Sequence, residues 1–182
     1  MKHCSYNERV EFVLREFRRE DFDSLWRIDQ ECFAPGIAYS RLELAAYIRL
    51  RGAFTVVAEP ITDGHEPPGN SARGVVESPG KVLGFIVAQA TRGRVGHILT
   101  IDVPPVSRRI GIGSKLLSTA EDRLRAAACH SVVLETAVDN SAALAFYKRH
   151  EFSVVKTIPR YYSNGADAFV MEKELHSVSD DK

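Results

Sequence analysis

The chain has 182 residues, 45% hydrophobic and 26% charged, an ordinary composition that can bury the core of one globular domain spanning residues 1–182. Its 24 basic and 24 acidic side chains cancel, so no global field favours nucleic acid or an anionic membrane. Cys4, Cys32 and Cys129 make neither a disulfide framework nor a zinc pattern. The six histidines show no ligand spacing, so each reads as a surface or satisfied core residue and no metal is expected.

The N-terminus runs into charged sequence without an apolar h-region, and no apolar run approaches the ~18 residues of a membrane span. A soluble cytoplasmic protein, monomeric or weakly dimeric, is the expectation. Val10–Phe17 alternates Val10, Phe12 and Leu14 with mostly charged neighbours and predicts a strand. Asp21 reads as an N-cap for a helix with Phe22, Leu25, Ile28 and Cys32 on one face. A loop holding Phe33, Pro35, Gly36 and Tyr39 follows. Ser40 and Glu43 then form a capping box for a second helix that stops at Gly52.

Phe54–Ala58 and Val82–Ala88 predict apolar strands. The Pro- and Gly-rich segment 60–80 between them is expected to be a mobile surface excursion. Val95–Val103 predicts a strand, and Ile112–Ala128 a helix with Leu116, Leu117, Ala120 and Leu124 inward and Glu121 to Arg125 otherwise on the outer face. Then come a strand (Ser131–Val138), a short helix (Asn140–Arg149), and two strands (Phe152–Ile158, Asp167–Glu174) joined by a turn at Ser163-Asn164-Gly165. A polar tail, 176–182, is expected to fray. The strand–helix–strand in the middle predicts a parallel pair with a right-handed crossover, in a mixed α/β sheet with antiparallel ends and helices on both faces.

Two stretches carry chemistry. The first, Ile101 to Ser114, joins a strand's C-terminal end to a helix N-terminus, where unpaired amides and the macrodipole suit a phosphate. Gly111 and Gly113 allow close backbone approach, and Arg108 and Arg109 add charge. The glycine spacing fits neither a Walker loop nor a dinucleotide-binding fingerprint. In the second, Glu135 stands in an otherwise apolar strand, where a charge is costly unless solvated, paired or functional, and Tyr147 follows on the next helix. A carboxylate can accept a proton from an amine, and a phenol can give one to a thiolate of pKa ~8.5.

Arg108-x-x-Gly111-x-Gly113 resembles the signature of the GNAT acetyltransferase superfamily. With Glu135, Asn140, Tyr147 and the Tyr161-Tyr162…Asp167-Ala168…Met171 hairpin, the chain is similar to its RimI-like branch, the ribosomal-protein-alanine N-terminal acetyltransferases. The resemblance implies a central sheet of about seven strands with a splayed parallel pair. It also implies direct transfer from acetyl-CoA to the N-terminal α-amine of a protein. On that basis Glu135 is the general base and Tyr147 the general acid. Ile101, Asp102 and Val103 meet the acetyl and pantetheine arm through their backbone. Arg108, Arg109, Ile110, Gly111, Ile112, Gly113 and Ser114 hold the pyrophosphate, and Asn140 the pantetheine side. Tyr161, Tyr162, Phe33 and Tyr39 border the acceptor. The chain departs from the branch at Glu151, where Gly is usual, and in the loop around Phe33. A lysine side chain or small amine as acceptor is the alternative, and a non-catalytic acyl-CoA-binding module a further one.

Overall fold

A computed structural model describes residues 11–61 and 81–175. The elements are β1 (Phe12–Glu16), α1 (Phe22–Cys32), α2 (Arg41–Ile48), β2 (Ala53–Pro60), β3 (Gly84–Ala90), β4 (Val95–Asp102), α3 (Ile112–Ala126), β5 (Ser131–Ala137), α4 (Ser141–Arg149), β6 (Ser153–Ile158) and β7 (Ala168–Glu174). Val10, most of the Pro/Gly-rich segment (62–80) and the polar tail (176–182) lie outside the described residues.

The strands form one seven-stranded sheet in the order β1-β2-β3-β4-β5-β7-β6, antiparallel everywhere except between β4 and β5. That parallel pairing runs only from Val95↔Ser131 to Ile98↔Leu134. It ends where β4 makes a bulge: Ala88 of β3 faces Ile98 and Val87 faces Thr100, leaving Leu99 as the extra residue. A bulge bends its strand, so beyond Leu99 and Leu134 the two central strands part. This is the expected splayed pair.

Helices cover both faces. Leu25, Ile28 and Leu44 from α1 and α2 pack against Val57, Phe85 and Val87. Leu116, Leu117 and Leu124 of α3 and Tyr147 of α4 pack on the other side against Ile86, Ile98, Val132, Leu134 and Met171. Each fully buried Leu in these layers contributes roughly 1.5–3 kcal/mol. β3 is buried on both faces, which accounts for its unbroken apolar run.

Local signals met tertiary competition at two points. Ser40 and Glu43 form the expected capping box, with Ser40 N donating to Glu43 Oε2 at 2.8 Å. Asp21 stands at the expected N-cap position of α1 but its side chain makes no cap hydrogen bond: its carboxylate accepts from Arg18 N at 2.7 Å and pairs with the Arg15 guanidinium at 2.7 and 2.9 Å. Glu121, expected on the outer face of α3, is buried. Lys173 Nζ of β7 reaches both of its oxygens, at 2.9 and 3.0 Å, and Arg125 adds a third contact at 3.3 Å. A nearby cation from a strand 52 residues away makes that burial tolerable.

Candidate active site

Glu135 lies on β5 just past the last parallel pair, so its carboxylate stands at the mouth of the opening between β4 and β5. The side chain keeps 19% exposure, and Oε2 is 2.7 Å from His97 Nε2 on β4. A half-buried carboxylate with one partner retains lone pairs for a substrate proton. His97, read from sequence as an ordinary surface or core histidine, is thus the neighbour that orients the candidate base.

Tyrosines surround this carboxylate. Burial raises the phenols of Tyr47, Tyr161 and Tyr162 above their usual value, and the charge of Glu135 pushes all three further. Tyr161 and Tyr162 stack edge to face at 5.0 Å between centroids. Both belong to the β6–β7 turn, which is fastened to the α1–α2 loop: Ser163 Oγ donates to Gly36 O at 3.0 Å. Gly36 has φ +86°, and a Cβ there would lie 2.9 Å from Asn164 Cβ. Only glycine lets the two loops meet so closely. Together they bridge one side of the cleft.

Phe33 and Tyr39, also expected at the acceptor, lie in the α1–α2 loop that makes this bridge. Tyr39 is pinned: its hydroxyl donates to Leu99 O at 3.0 Å, at the bulge, and its amide donates to Asp29 Oδ2 at 2.8 Å. Phe33 and Tyr39 line an open cavity of about 380 Å³ with Trp26, Gly36 and Ser163, and neither Glu135 nor Tyr147 lines it.

Tyr147 is buried on the opposite side of the splay, its ring 5.6 Å from Phe152 and 5.3 Å from Phe146. Burial raises its hydroxyl above the usual phenol range, helped by Asp102 and Tyr162. Such a phenol stays protonated and can act as a proton donor. α4 ends in a Schellman motif around it. Phe152 N donates to Tyr147 O at 3.0 Å and Glu151 N to Lys148 O at 3.1 Å, with Glu151 left-handed at φ +69°. The glycine that the family uses at this position is replaced at a site that does require positive φ.

The turn expected to cradle a phosphate leads into α3. Gly111 caps α3 at φ +93° with no side-chain hydrogen bond, so the first-turn amides of α3 have no capping acceptor. Arg109 is also left-handed, at φ +66°. Arg108 turns back instead of outward: its Nε donates to Val103 O at 2.8 Å. Asn140 caps α4, its Oδ1 accepting from Ala143 N at 3.1 Å, which leaves its amide N–H groups for a ligand. The facing edges of Thr100–Asp102 and Glu135–Ala137, which do not pair with each other, fit an extended amide-bearing arm, and the uncapped α3 fits a pyrophosphate.

A sequence profile of the acetyltransferase (GNAT) family matches residues 13–152. The chain belongs to the GNAT acetyltransferase family. An uncharacterised N-acetyltransferase of Methanocaldococcus jannaschii is 31% identical over 163 residues, covering 89% of this chain and 91% of its own. An N-α-acetyltransferase of Sulfurisphaera tokodaii is 33% identical over 113 residues, 56% of this chain and 68% of its own. The solved structure of the NatC complex bound to Gag peptide and CoA matches with TM-score 0.70 and 28% identity, over 91% of this chain and 99% of that one. The protein is thus an acyltransferase of the GNAT fold. Its relatives do not single out the RimI-like branch from other N-α-acetyltransferases.

This GNAT enzyme also holds acidic groups that the sequence motifs did not reveal. Asp102, expected to act through its backbone, is wholly buried. Its Oδ1 accepts from Thr100 Oγ1 at 2.5 Å and its Oδ2 has no partner. Burial holds the carboxyl well above the usual range, against the Thr100 hydrogen bond, and Asp29 adds to the rise. Asp29 is itself pushed up to about 6 by burial, opposed by the Tyr39 and Gln30 donors. Beside them burial, then Asp102, pushes the Cys32 thiol up to about 12. Cys32 and Cys129 are both free thiols. Among the described residues no three His, Cys, Asp or Glu side chains group where a metal ion could sit, and no helix is long and apolar enough to cross a membrane.

Proposed function

We propose that the protein transfers the acetyl group of acetyl-CoA to the N-terminal α-amine of a protein, directly, within a ternary complex. The observation that carries this reading is the Glu135–His97 pair at 2.7 Å at the mouth of the β4–β5 splay, under the bridged tyrosine loops. Acetyl-CoA supplies an activated acetyl thioester. The free strand edges would hold its pantetheine arm and the α3 N-terminus, with Arg109 to Ser114, its pyrophosphate.

Glu135 accepts a proton from the attacking amine, directly or through a water, as the N–C bond forms. His97 keeps the Glu135 carboxylate aimed at the acceptor. Tyr147 donates its proton to the thiolate as the C–S bond breaks, and the Glu135 proton returns through solvent to restore the phenol. An α-amine of pKa ~7.7–8.0 is partly neutral at pH 7, whereas a lysine of ~10.4 is not, so one carboxylate suits the former. The loop bridge from Ser163 to Gly36 also favours a chain end over an internal segment. Relatives named as N-α-acetyltransferases support the same acceptor. The ribosomal-protein-alanine type, which the Tyr161-Tyr162 hairpin resembles, is the narrower form of the proposal.

The test is CoA release from acetyl-CoA with two peptides, one with a free N-terminal alanine and one N-blocked with an internal lysine. Turnover with the free N-terminus alone is the expected result. Turnover with the lysine peptide alone would discard the N-terminal acceptor while keeping the catalytic pair. Silence with both, despite CoA binding, would shift weight to a small amine or to a binding module.

A further inference from the structure

α4 carries Tyr147, but its last turn also packs on the first turn of α3. A Cβ on Gly113 would lie 3.4 Å from the Phe146 ring, whose centroid is 4.7 Å from that of His150. His150 Nε2 is 3.0 Å from Ser114 Oγ. Ser114 is the third residue of α3, so its own amide is one of those that have no helical acceptor.

We propose that His150 is a positioning residue for CoA, its Nε2–H donating to Ser114 Oγ so that the Ser114 hydroxyl proton points at a pyrophosphate oxygen. The inference rests on the acetyl-CoA reading above. In the reverse arrangement Ser114 donates to the ring and offers a phosphate only lone pairs, which repel it. A charged ring excludes the reverse arrangement altogether.

The groups around the ring set its response to pH. In the free protein burial holds His150 below its usual value. Arg149 of α4 and Lys173 of β7 push the same way, and Glu121 of α3 and the following Glu151 oppose them. A bound phosphate favours the charged ring, so CoA binding takes up a proton and affinity falls as the pH rises through the ring's titration.

The experiment is calorimetric titration of the full chain with 3′-dephospho-CoA at pH 6 and pH 8, alongside steady-state kinetics with acetyl-CoA. The dephospho form lacks the phosphate monoester, which itself titrates near about 6. His150→Leu is expected to weaken binding about tenfold and raise KM, with kcat within about twofold. His150→Gln, which keeps an N–H donor at similar reach, restores most of the affinity. Wild type binds more tightly at pH 6 than at pH 8, and His150→Leu loses that difference. Ser114→Ala weakens binding as much as His150→Leu, and the double variant no further. Wild-type affinity in His150→Leu, an unchanged pH difference, failure of Gln to rescue, or additive losses would each overturn the proposal. A wild type that binds neither CoA nor its dephospho form would overturn the acetyl-CoA reading, and this inference with it.

Discussion

Glu135 stands between two buried neighbours, Leu134 and Thr136, yet keeps 19% exposure and an imidazole partner. Replacing it with Gln preserves shape and removes the proton acceptor, so Glu135→Gln should lower kcat roughly 10²-fold or more with CoA binding intact. Tyr147→Phe should do the same by removing the proton donor; unchanged turnover in both variants would refute the assignment. His97→Ala should cost less, about tenfold in kcat, because the carboxylate loses its orientation and not its basicity. Glu135 was legible because a charge in an apolar strand asks for a reason. His97 was not, because its partner comes from 38 residues away and only the parallel register of β4 on β5 brings them together. Asp102 escaped for a similar reason: α1 and α3 cover the two faces of the sheet, so its carboxyl is interior only once those layers assemble.

Helix ends and loops show how far local chemistry reaches. The C-terminus of α4 needs a left-handed residue, and Glu151 supplies it at φ +69°. An L-residue there costs roughly 1–2 kcal/mol, partly offset in a Gly variant by greater freedom of the unfolded chain. The Glu151 contact to Lys173, 3.7 Å long and with Glu151 83% exposed, adds nothing appreciable. Glu151→Gly should therefore stabilise the protein by about 0.5–1 kcal/mol in denaturant unfolding. The bridge at Gly36 works the other way. Gly36→Val meets both a left-handed φ and a Cβ contact of 2.9 Å, so it should separate the α1–α2 loop from the β6–β7 turn. The expected signature is a raised KM for the acceptor with CoA affinity unchanged; an unaltered acceptor KM would show that the bridge does not shape that site. The capping box at Ser40 was readable because it spans four consecutive residues. The role of Asp21 was not, because Arg15 outcompetes the helix for its carboxylate.

Across the molecule, the buried acids Asp29 and Asp102 give stability a pH dependence. Asp29 rises from 3.8 to about 6. Between roughly 4 and 6 the folded chain therefore keeps a proton that the unfolded chain has released, so stability falls as the pH rises across that window and stays lower above it. Asp29→Asn is neutral throughout. The difference in Tm between the variant and wild type should grow in the variant's favour from pH 4 to pH 7, and a difference independent of pH would exclude Asp29 as the cause. The same division runs through the whole chain. Apolar periodicity, caps and glycine spacing are local, so the sequence by itself determined the order of strands and helices and the family, and it singled out the Gly111 turn, Glu135 and Tyr147 as candidates for the chemistry. The early end of the β4–β5 pairing, the His97 partner, the loop bridge at Gly36 and the buried Asp29 and Asp102 were decided only by tertiary structure. Each depends on which distant groups meet once the sheet is assembled, and on the desolvation that assembly imposes.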